Sequence, residues 1–399
     1  MHSFYQIFIR LYGLSIKIAS FFNAKAHKLV LGRNNWERNL TNRIKKSEAY
    51  CWIHCASAGE FEQAIPLLKN LRVKNSDLRI AVSFFSPSGF EMYQDSKLAD
   101  LFFYFPLDTK QNAAKLVEIL NPDFVIFIRN EIWWNVLSIL KEKNIPTYLV
   151  NANSEQKRTI FYQYYLDKTY PLFTKIFDTK TFGNTKLDKV IENKNVLFSD
   201  QILEDFCKDS FVIIAGSSWQ TEESFIALFY KAYAQKYPKL RIIIAPHEFN
   251  EIKRDELEKT FSDWQVPEMS DVISYSTYSL KQNKRVLFLD KIGILKYAYR
   301  YADIAIIGGG FGKSVHNVSE AAVYGIPTLF GPNYHKFEET IALVNGQVAF
   351  SINDYKEFES RLLSLIADHA LRNTISDKLY LYFSAQSNVS KRIINEIFS

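Results

Sequence analysis

A chain of 399 residues is longer than one hydrophobic core usually supports, so two domains are expected. With 47% hydrophobic and 23% charged residues and no low-complexity tract, the composition excludes a disordered or fibrous protein. The net charge of +6 is unevenly placed: residues 1–50 carry nine Lys/Arg against Glu37 and Glu48, for +7, and the other 349 residues sum to −1. Such a basic end suits an anionic partner, a phospholipid surface or a phosphorylated substrate, or is simply a solvated basic helix. The cysteines, Cys51, Cys55 and Cys207, are odd in number and form no CxxC pair, which argues against a disulfide framework and fits a reducing compartment.

In chain order, the first element is the largely apolar SFYQIFIRLYGLSIKIASFF, Ser3 to Phe22. Its length approaches a bilayer span, but Arg10 and Lys17 interrupt it, and a signal peptide would carry its cations before the apolar run. An amphipathic helix lying in a membrane interface fits best; a tilted span and a helix packed on its own domain stay open. From residue 50 strands and helices alternate. YCWIHC is a buried strand, FEQAIPLLKNLRV a helix, and LRIAVSFF a strand; FFYFPLD is a short strand, NAAKLVEIL a helix, DFVIFI a strand, WWNVLSILKEK a helix and TYLVNA a strand. Residues 155–200 are less regular. The alternation restarts with the strand FVIIAGS and runs through LRIIIAPHE, RVLFLD, DIAIIGGG and PTLFGP, with helices between. This predicts an α/β protein of two doubly wound, Rossmann-like halves facing across a cleft lined by the loops after the strands. The expected divisions are an amphipathic segment 1–30, a domain 31–200 and a domain 201–399.

The strand-end loops hold the candidate chemistry. Ser57-Ala-Gly-Glu60 has the spacing of a helix capping box, and Glu60 equally occupies the place of a general base. Glu131, in RNEIWWN, is either a helix-start acid or a functional one. In GGGFGKSVHNVSEAAVYG a strand ends in Gly308, Gly309 and Gly310 and leads into a helix carrying Glu320. That pattern suits phosphate and ribose binding, or merely a tight turn. Ser217 and Ser218, His247 after Pro246, and Gly293 each sit at or near the end of another strand. No G-x-G-x-x-G unit supports NAD binding, no G-x-S-x-G elbow supports serine hydrolysis, and no carboxylate pair beside His247 and His316 supports a metal. Basic–aromatic interleaving for nucleic acid is absent beyond the N-terminus.

These motifs, with FNAKAHKLVLGR, FPLD, NANS, GNTKLD, AGSSWQTEE and HNVSEAAVYGIPTLFGPNYHKFEE in the same order, resemble the 3-deoxy-D-manno-octulosonic acid (Kdo) transferases of Gram-negative bacteria, glycosyltransferase family 30. The resemblance spans nearly the whole chain. It implies a GT-B fold with a membrane-associated N-terminal helix, CMP-Kdo as donor and a lipid A precursor as acceptor. It also implies an inverting reaction and a place on an anionic membrane, the cytoplasmic face of the inner membrane; with no carboxylate pair to hold Mg²⁺ on the donor phosphate, a metal-independent reaction without a cofactor is expected. By position Glu60 matches the family's catalytic base. Glu131 and Lys186 match transition-state stabilisers, and Pro246-His247, Ile292-Gly293-Ile294 and Asn317-Val318-Ser319-Glu320 match the CMP-binding segments. The chain departs from the family in having His247 for the usual Arg, Arg129-Asn130-Glu131 for Glu-Thr-Glu, Ser319 for a common Leu and Ser314 for a frequent Gly. The alternative is a GT-B-fold sugar-nucleotide epimerase acting on soluble substrates.

Overall fold

The computed structural model describes residues 2–45, 49–129, 131–152, 159–263, 272–281 and 283–399. Three helices, α1 (His2–Ala19), α2 (Ala24–Arg33) and α3 (Trp36–Thr41), precede the first strand. The first sheet comprises β1 (Tyr50–Cys55), β2 (Arg79–Phe84), β3 (Leu101–Tyr104), β4 (Pro122–Ile128), β5 (Thr147–Ala152) and β6 (Lys175–Asp178). Its order is β3-β2-β1-β4-β5-β6, with every neighbouring pair parallel. All six residues of β1 are buried, as expected of a central strand covered on both faces. Cys51, Ile53 and Cys55 join one core with Leu67 and Leu68 of α4 (Ala58–Lys74), while Tyr50 and Trp52 join the other with Phe103, Phe105 and Phe127. Burial raises the thiols of Cys51 and Cys55 well above their usual value, so both remain protonated packing groups.

The second sheet comprises β7 (Phe211–Ser218), β8 (Leu240–Pro246), β9 (Val272–Ser274), β10 (Val286–Phe288), β11 (Ile304–Ile307), β12 (Thr328–Phe330) and β13 (Ala349–Ser351). Its order is β13-β12-β11-β7-β8-β10-β9, again parallel throughout. In each sheet the order reverses beside a central strand, at β1/β4 and at β7/β11. The loops after those strands are where an open α/β sheet gathers ligands.

The chain divides into two compact units, residues 1–189 with 388–399, and residues 190–387. This differs from the sequence expectation of 31–200 and 201–399. The initial helices belong to the first unit, the boundary falls inside the helix Thr185–Asn195, and the last helix, Val389–Ile397, returns to the first unit. Ile393 and Ile394 of that helix join the core beneath α4. Asp188, buried, receives the backbone N–H groups of Val389 at 3.1 Å and Ser390 at 2.6 Å, and the Ser390 hydroxyl at 2.6 Å. Chain order cannot reveal this clasp, because it joins residues about two hundred positions apart. The strands β6 and β9, unassigned in the sequence, are only four and three residues long, and GILKYAYRYA is helical only over Leu295–Ala298 before a 3-10 turn.

The clasp gives a direct stability test. Asp188→Ala leaves three donors at the helix start without their carboxylate, and hydrogen bonds to a charged acceptor are worth about 1.5–3 kcal/mol each before water compensates. Urea unfolding should show a loss of about 2–4 kcal/mol, and an unchanged midpoint would show that apolar packing alone holds the C-terminal helix.

Candidate functional site

In the first unit, β1 and β4 lie side by side, so the loops carrying Glu60 and Glu131 emerge next to each other. Glu60 is the third residue of α4, and Ser57 occupies the N-cap position. The capping-box expectation is half met. The Ser57 side chain makes no cap bond, whereas the Glu60 carboxylate accepts the backbone N–H of Ala56 and is further steadied by that of Ser57. Despite these donors its pKa rises to about 7. Burial is the largest cause and the charge of Glu131 the second; the Ala56 and Ser57 N–H groups and the Arg129 guanidinium oppose them. A carboxyl held near neutrality beside a second carboxylate at the same strand ends is an arrangement suited to acid–base work.

Glu131 is held from below. Its Oε2 accepts the Trp133 indole N–H at 3.0 Å and lies 3.3 Å from His54 Nε2. His54, on β1, is wholly buried, and its Nδ1 lies 2.8 Å from the hydroxyl of Ser83, which accepts the Trp52 indole N–H at 2.8 Å. The β1–β2 register sets His54 directly opposite Ser83. The Trp133 indole nitrogen also lies 3.1 Å from His54 Nε2; with Nε2 protonated, the imidazole and the indole both donate to Glu131 Oε2 while the Ser83 hydroxyl donates to Nδ1, so every polar atom of this row finds a partner. The adjoining Arg129 ends β4 in a left-handed conformation, φ 61°, which bulky residues seldom adopt. Asn130 lies outside the described residues.

Lys186 is positioned by a buried amide network. Asn151, at φ 59°, donates from Nδ2 to Gln63 Oε1 at 3.0 Å and to Thr185 Oγ1 at 2.8 Å. Its Oδ1 accepts the Thr185 N–H at 3.1 Å, and the Thr185 hydroxyl donates to the Gln63 carbonyl at 2.7 Å. Gln63 lies one turn after Glu60 on α4, so the helix start bearing Lys186 is tied to the helix bearing Glu60. Residues 153–158 of the NANSEQKR loop lie outside the described residues.

In the second unit the loops after β7, β8 and β11 converge. The glycines do less at a ligand surface than their spacing suggests. A Cβ on Gly308 would fall 1.9 Å from the Ser217 carbonyl oxygen and one on Gly310 2.6 Å from the Gly331 nitrogen, so both are needed for backbone-to-backbone packing. The Gly309 N–H is also spent internally, on Glu222 at 3.0 Å. Ser218 is buried and donates to Glu223 at 3.0 Å, and Glu223 takes the Lys253 ammonium at 2.7 Å, so Ser218 shapes the loop from within. Ser217 is half-buried at φ 50°.

The polar surface lies further along. Ser314 Oγ, Asn317 Oδ1 and Ser319 Oγ are buried with no hydrogen-bond partner among the described residues. An unsatisfied buried polar group costs about 1–3 kcal/mol, which a ligand or water would recover. The Asn317 amide donates to Glu320 Oε1 at 2.9 Å, while Val318 packs inward. His247, exposed after Pro246, stacks between Trp219 and His316, with ring centroids 4.9 and 4.4 Å apart. The Trp219 indole donates to His316 Nε2 at 3.2 Å, which leaves the proton of a neutral His316 on Nδ1. Burial, then the neighbouring His247, lowers the His316 pKa. Of the Ile292-Gly293-Ile294 segment, Ile292 is fully exposed, Gly293 at φ 90° faces open space and Ile294 is buried. Among the described residues no group of three His, Cys, Asp or Glu is arranged to hold a metal.

Residues 33–188 match the family model described as 3-Deoxy-D-manno-octulosonic-acid transferase (kdotransferase). The chain is 27% identical over 334 residues to the 3-deoxy-D-manno-octulosonic acid transferase of Aquifex aeolicus, covering 81% of this chain and 88% of that protein. It is 25% identical to the enzyme of the same name from Haemophilus influenzae, covering 76% and 75%. The chain is a relative of the Kdo transferases. Its fold is shared more widely: the UDP-GlcNAc 2-epimerase of Neisseria meningitidis superposes with a TM-score of 0.60 at 16% identity, over 88% of this chain and 99% of that one. The MurG of Acinetobacter baumannii does so with 0.56 at 12% identity, over 87% and 99%. These likenesses establish a GT-B fold built on parallel sheets.

Several residues of this Kdo-transferase relative escaped the sequence reading of the site. Glu222 and Glu223 lie within AGSSWQTEE, where the sequence singled out only Ser217 and Ser218. His54, Ser83, Asn151 and Thr185 show their role only through pairing across strands.

The raised pKa of Glu60 is measurable. Native Glu60 keeps its proton to about pH 7, whereas the unfolded chain releases it near its usual 4.5. Between those values the native state binds more protons, so the Glu60 contribution to stability falls as pH rises from about 4.5 to 7. Glu131→Gln removes the charge that is the second cause and should move the Glu60 midpoint to lower pH. Carboxyl 13C titration of both proteins checks this; a midpoint unmoved by Glu131→Gln would dissociate the two groups.

Proposed function

We propose that this protein transfers Kdo from CMP-Kdo to a lipid A precursor, with inversion and without a metal, at the cytoplasmic face of the inner membrane. The observation that carries the reading is the Glu60–Glu131 pair, in which burial and a neighbouring charge keep one carboxylate near neutrality. A base of that pKa suits proton abstraction at physiological pH. In this reading Glu60 takes the proton of the acceptor hydroxyl as its oxygen forms the bond to the anomeric carbon. The bond to CMP breaks in the same displacement, and its electron pair leaves with the phosphate. Glu131, fixed by His54 and Trp133, steadies positive charge developing on the sugar ring, and Lys186 offsets negative charge on the leaving phosphate. The second unit holds the nucleotide. Ser314, Asn317 and Ser319 offer unpartnered oxygens, Glu320 oriented by Asn317 accepts ribose hydroxyls, and His247 replaces the usual arginine near the phosphate. The epimerase likeness rests on fold alone, whereas the relatives by sequence named above are transferases.

The test is Glu60→Gln. It keeps the shape and part of the hydrogen bonding but cannot accept the proton. Transfer, followed by mass spectrometry of the tetraacyl acceptor after incubation with CMP-Kdo, should fall about a hundredfold or more, with CMP binding retained. Near-normal transfer would remove Glu60 from this role.

The membrane part of the proposal rests on α1. Tyr5, Ile9 and Gly13 face the first unit: Tyr5 donates to buried Asp108 at 2.6 Å, and Asp108 in turn accepts the N–H groups of Asn135 and Val136. Phe4, Ile7, Phe8, Leu11, Leu14 and Ile18 are exposed at helical spacing. No helix among the described residues is long and apolar enough to cross a membrane, so a tilted span within α1 is not supported. The helix is instead docked along one face and apolar on the other, the form of an interfacial anchor. Replacing Phe4, Phe8 and Leu11 together by serine should reduce sedimentation with anionic vesicles at least about tenfold, leaving the melting temperature nearly unchanged. Unaltered vesicle binding would assign membrane contact elsewhere.

A further inference from the structure

The helix that follows Glu131, Trp134–Glu142, starts without a cap of its own: Trp133 stands at its N-cap position and makes no side-chain cap bond. The first backbone N–H groups of a helix have no partner within it. Here the first three are met from elsewhere in the unit. Tyr5 Oη accepts the Trp134 N–H at 3.3 Å, Asp108 Oδ2 the Asn135 N–H at 3.0 Å and Asp108 Oδ1 the Val136 N–H at 3.0 Å. The Tyr5 hydroxyl in turn donates to Asp108 Oδ2 at 2.6 Å. One cap is therefore shared between a carboxylate from the loop after β3 and a phenol from α1. Burial pushes the pKa of Asp108 up to about 6, against the Tyr5 hydroxyl and the two N–H groups, so it is ionised at neutral pH. Asp108 ends the motif FPLD and Asn135 the motif NEIWWN, so the two motifs meet at this cap.

Two further side chains of α1 hold the same turn. The His2 ring stacks on Trp134 with centroids 5.0 Å apart, and its Nε2 lies 2.9 Å from Asn135 Oδ1. The Gln6 amide donates to that oxygen as well, and the buried Asn135 donates from Nδ2 to the Asp108 carbonyl. His2, Tyr5 and Gln6 follow at three- and four-residue steps, so one face of α1 carries them all. From the other side, Tyr165 of the helix Ile160–Thr169 stacks on Tyr5 at 5.9 Å and donates to the Ile132 carbonyl at 2.7 Å. Trp133, between these fixed points, stacks on Phe85 at 5.0 Å and donates its indole N–H to Glu131. Every residue from Ile132 to Val136 is thus held, and the hold reaches Glu131 through Trp133.

We propose that α1 is a positioning element of the Glu60–Glu131 site, with Tyr5 its central residue: by completing the cap of the helix Trp134–Glu142 it fixes the turn that keeps Glu131 beside Glu60. The inference rests on the reading of Glu131 as a group of the transfer site. Tyr5 acts through two bonds made by one oxygen. Without it the Trp134 N–H loses its acceptor, Asp108 loses a donor, and the turn is pinned by the remaining Asp108 bonds alone at its backbone. Trp133 then moves with the turn, and Glu131 with Trp133. A displacement of about 1 Å at a catalytic group can cost about a hundredfold in rate. The first helix of the chain thereby has two faces with separate tasks, an exposed apolar one and a polar one that closes the site.

The test is Tyr5→Phe in the full chain, which keeps the ring and its packing on Trp134 and Tyr165 and removes only the hydroxyl. The first readout needs no transfer. The Glu60 pKa carries the charge of Glu131, so carboxyl 13C titration of Glu60 reports how near Glu131 stands. Tyr5→Phe should move the Glu60 midpoint to lower pH by about half a pH unit. In a protein that already carries Glu131→Gln it should move the midpoint no further, because the two changes act through one group. An unmoved midpoint, even with a lowered melting temperature, reduces Tyr5 to a structural contact and overturns the proposal; so does the same shift in both backgrounds. The second readout is transfer from CMP-Kdo: kcat should fall about tenfold or more, with CMP affinity unchanged, and an unchanged kcat also overturns the proposal. If the wild type transfers no Kdo, the transfer reading itself fails, and the titration alone decides whether Tyr5 positions Glu131.

Discussion

The rest of the first unit depends on the burial of β1 against β4. Both strands run parallel, so both present their carboxyl ends on the same edge, and the reversal of strand order leaves the two following loops without an intervening crossover. Glu60 and Glu131 are neighbours for that reason alone. The same central position surrounds them with low dielectric, which disfavours two adjacent negative charges and raises the pKa of one of them. A packing constraint has thereby become an electrostatic one.

What keeps this arrangement from relaxing is the way its polar groups are tied down. A half-buried carboxylate pair would ordinarily drift toward solvent. Here Glu60 is anchored to backbone N–H groups at the start of α4, and Glu131 to an indole and an imidazole. The imidazole cannot rotate away, because Ser83 and Trp52 hold its other side inside the sheet. The Asn151–Thr185–Gln63 network extends the same principle to the helix carrying Lys186. Each chemical group is a side chain on a loop or helix end, but its orientation is set by buried strand residues.

The second unit solves a related problem differently. Its glycines bring β7, β11 and the segment after β12 together closely enough that backbone meets backbone. The following stretch carries Ser314 Oγ, Asn317 Oδ1 and Ser319 Oγ, buried and without a hydrogen-bond partner among the described residues. In the first unit Arg33 Nη2 stands in the same condition. In both places the fold bears the cost of desolvating a polar atom without recovering it internally, which points to a ligand.

Much of this was legible in the residues. Alternating apolar runs and helical spacings dictated the parallel α/β class, because strands covered on both faces must be apolar throughout, and YCWIHC is such a strand. The placement of acids and glycines directly after strands marked SAGE, NEIWW and GGG as functional loops, and the motif order carried the family resemblance. The sequence left undecided whether Glu60 caps a helix or serves as a base, since spacing is identical in both cases; in the structure it does the first while its raised pKa suits the second. Tertiary structure alone decided the return of Val389–Ile397 to the first unit, the row from Trp52 to Glu131, the internal use of Gly308, Gly310 and Ser218, and the buried, unpartnered Nη2 of Arg33. Local pattern records what a residue prefers within a few positions of the chain. These outcomes depend on which distant residue reaches it first, and only the packed sheet and its helices determine that.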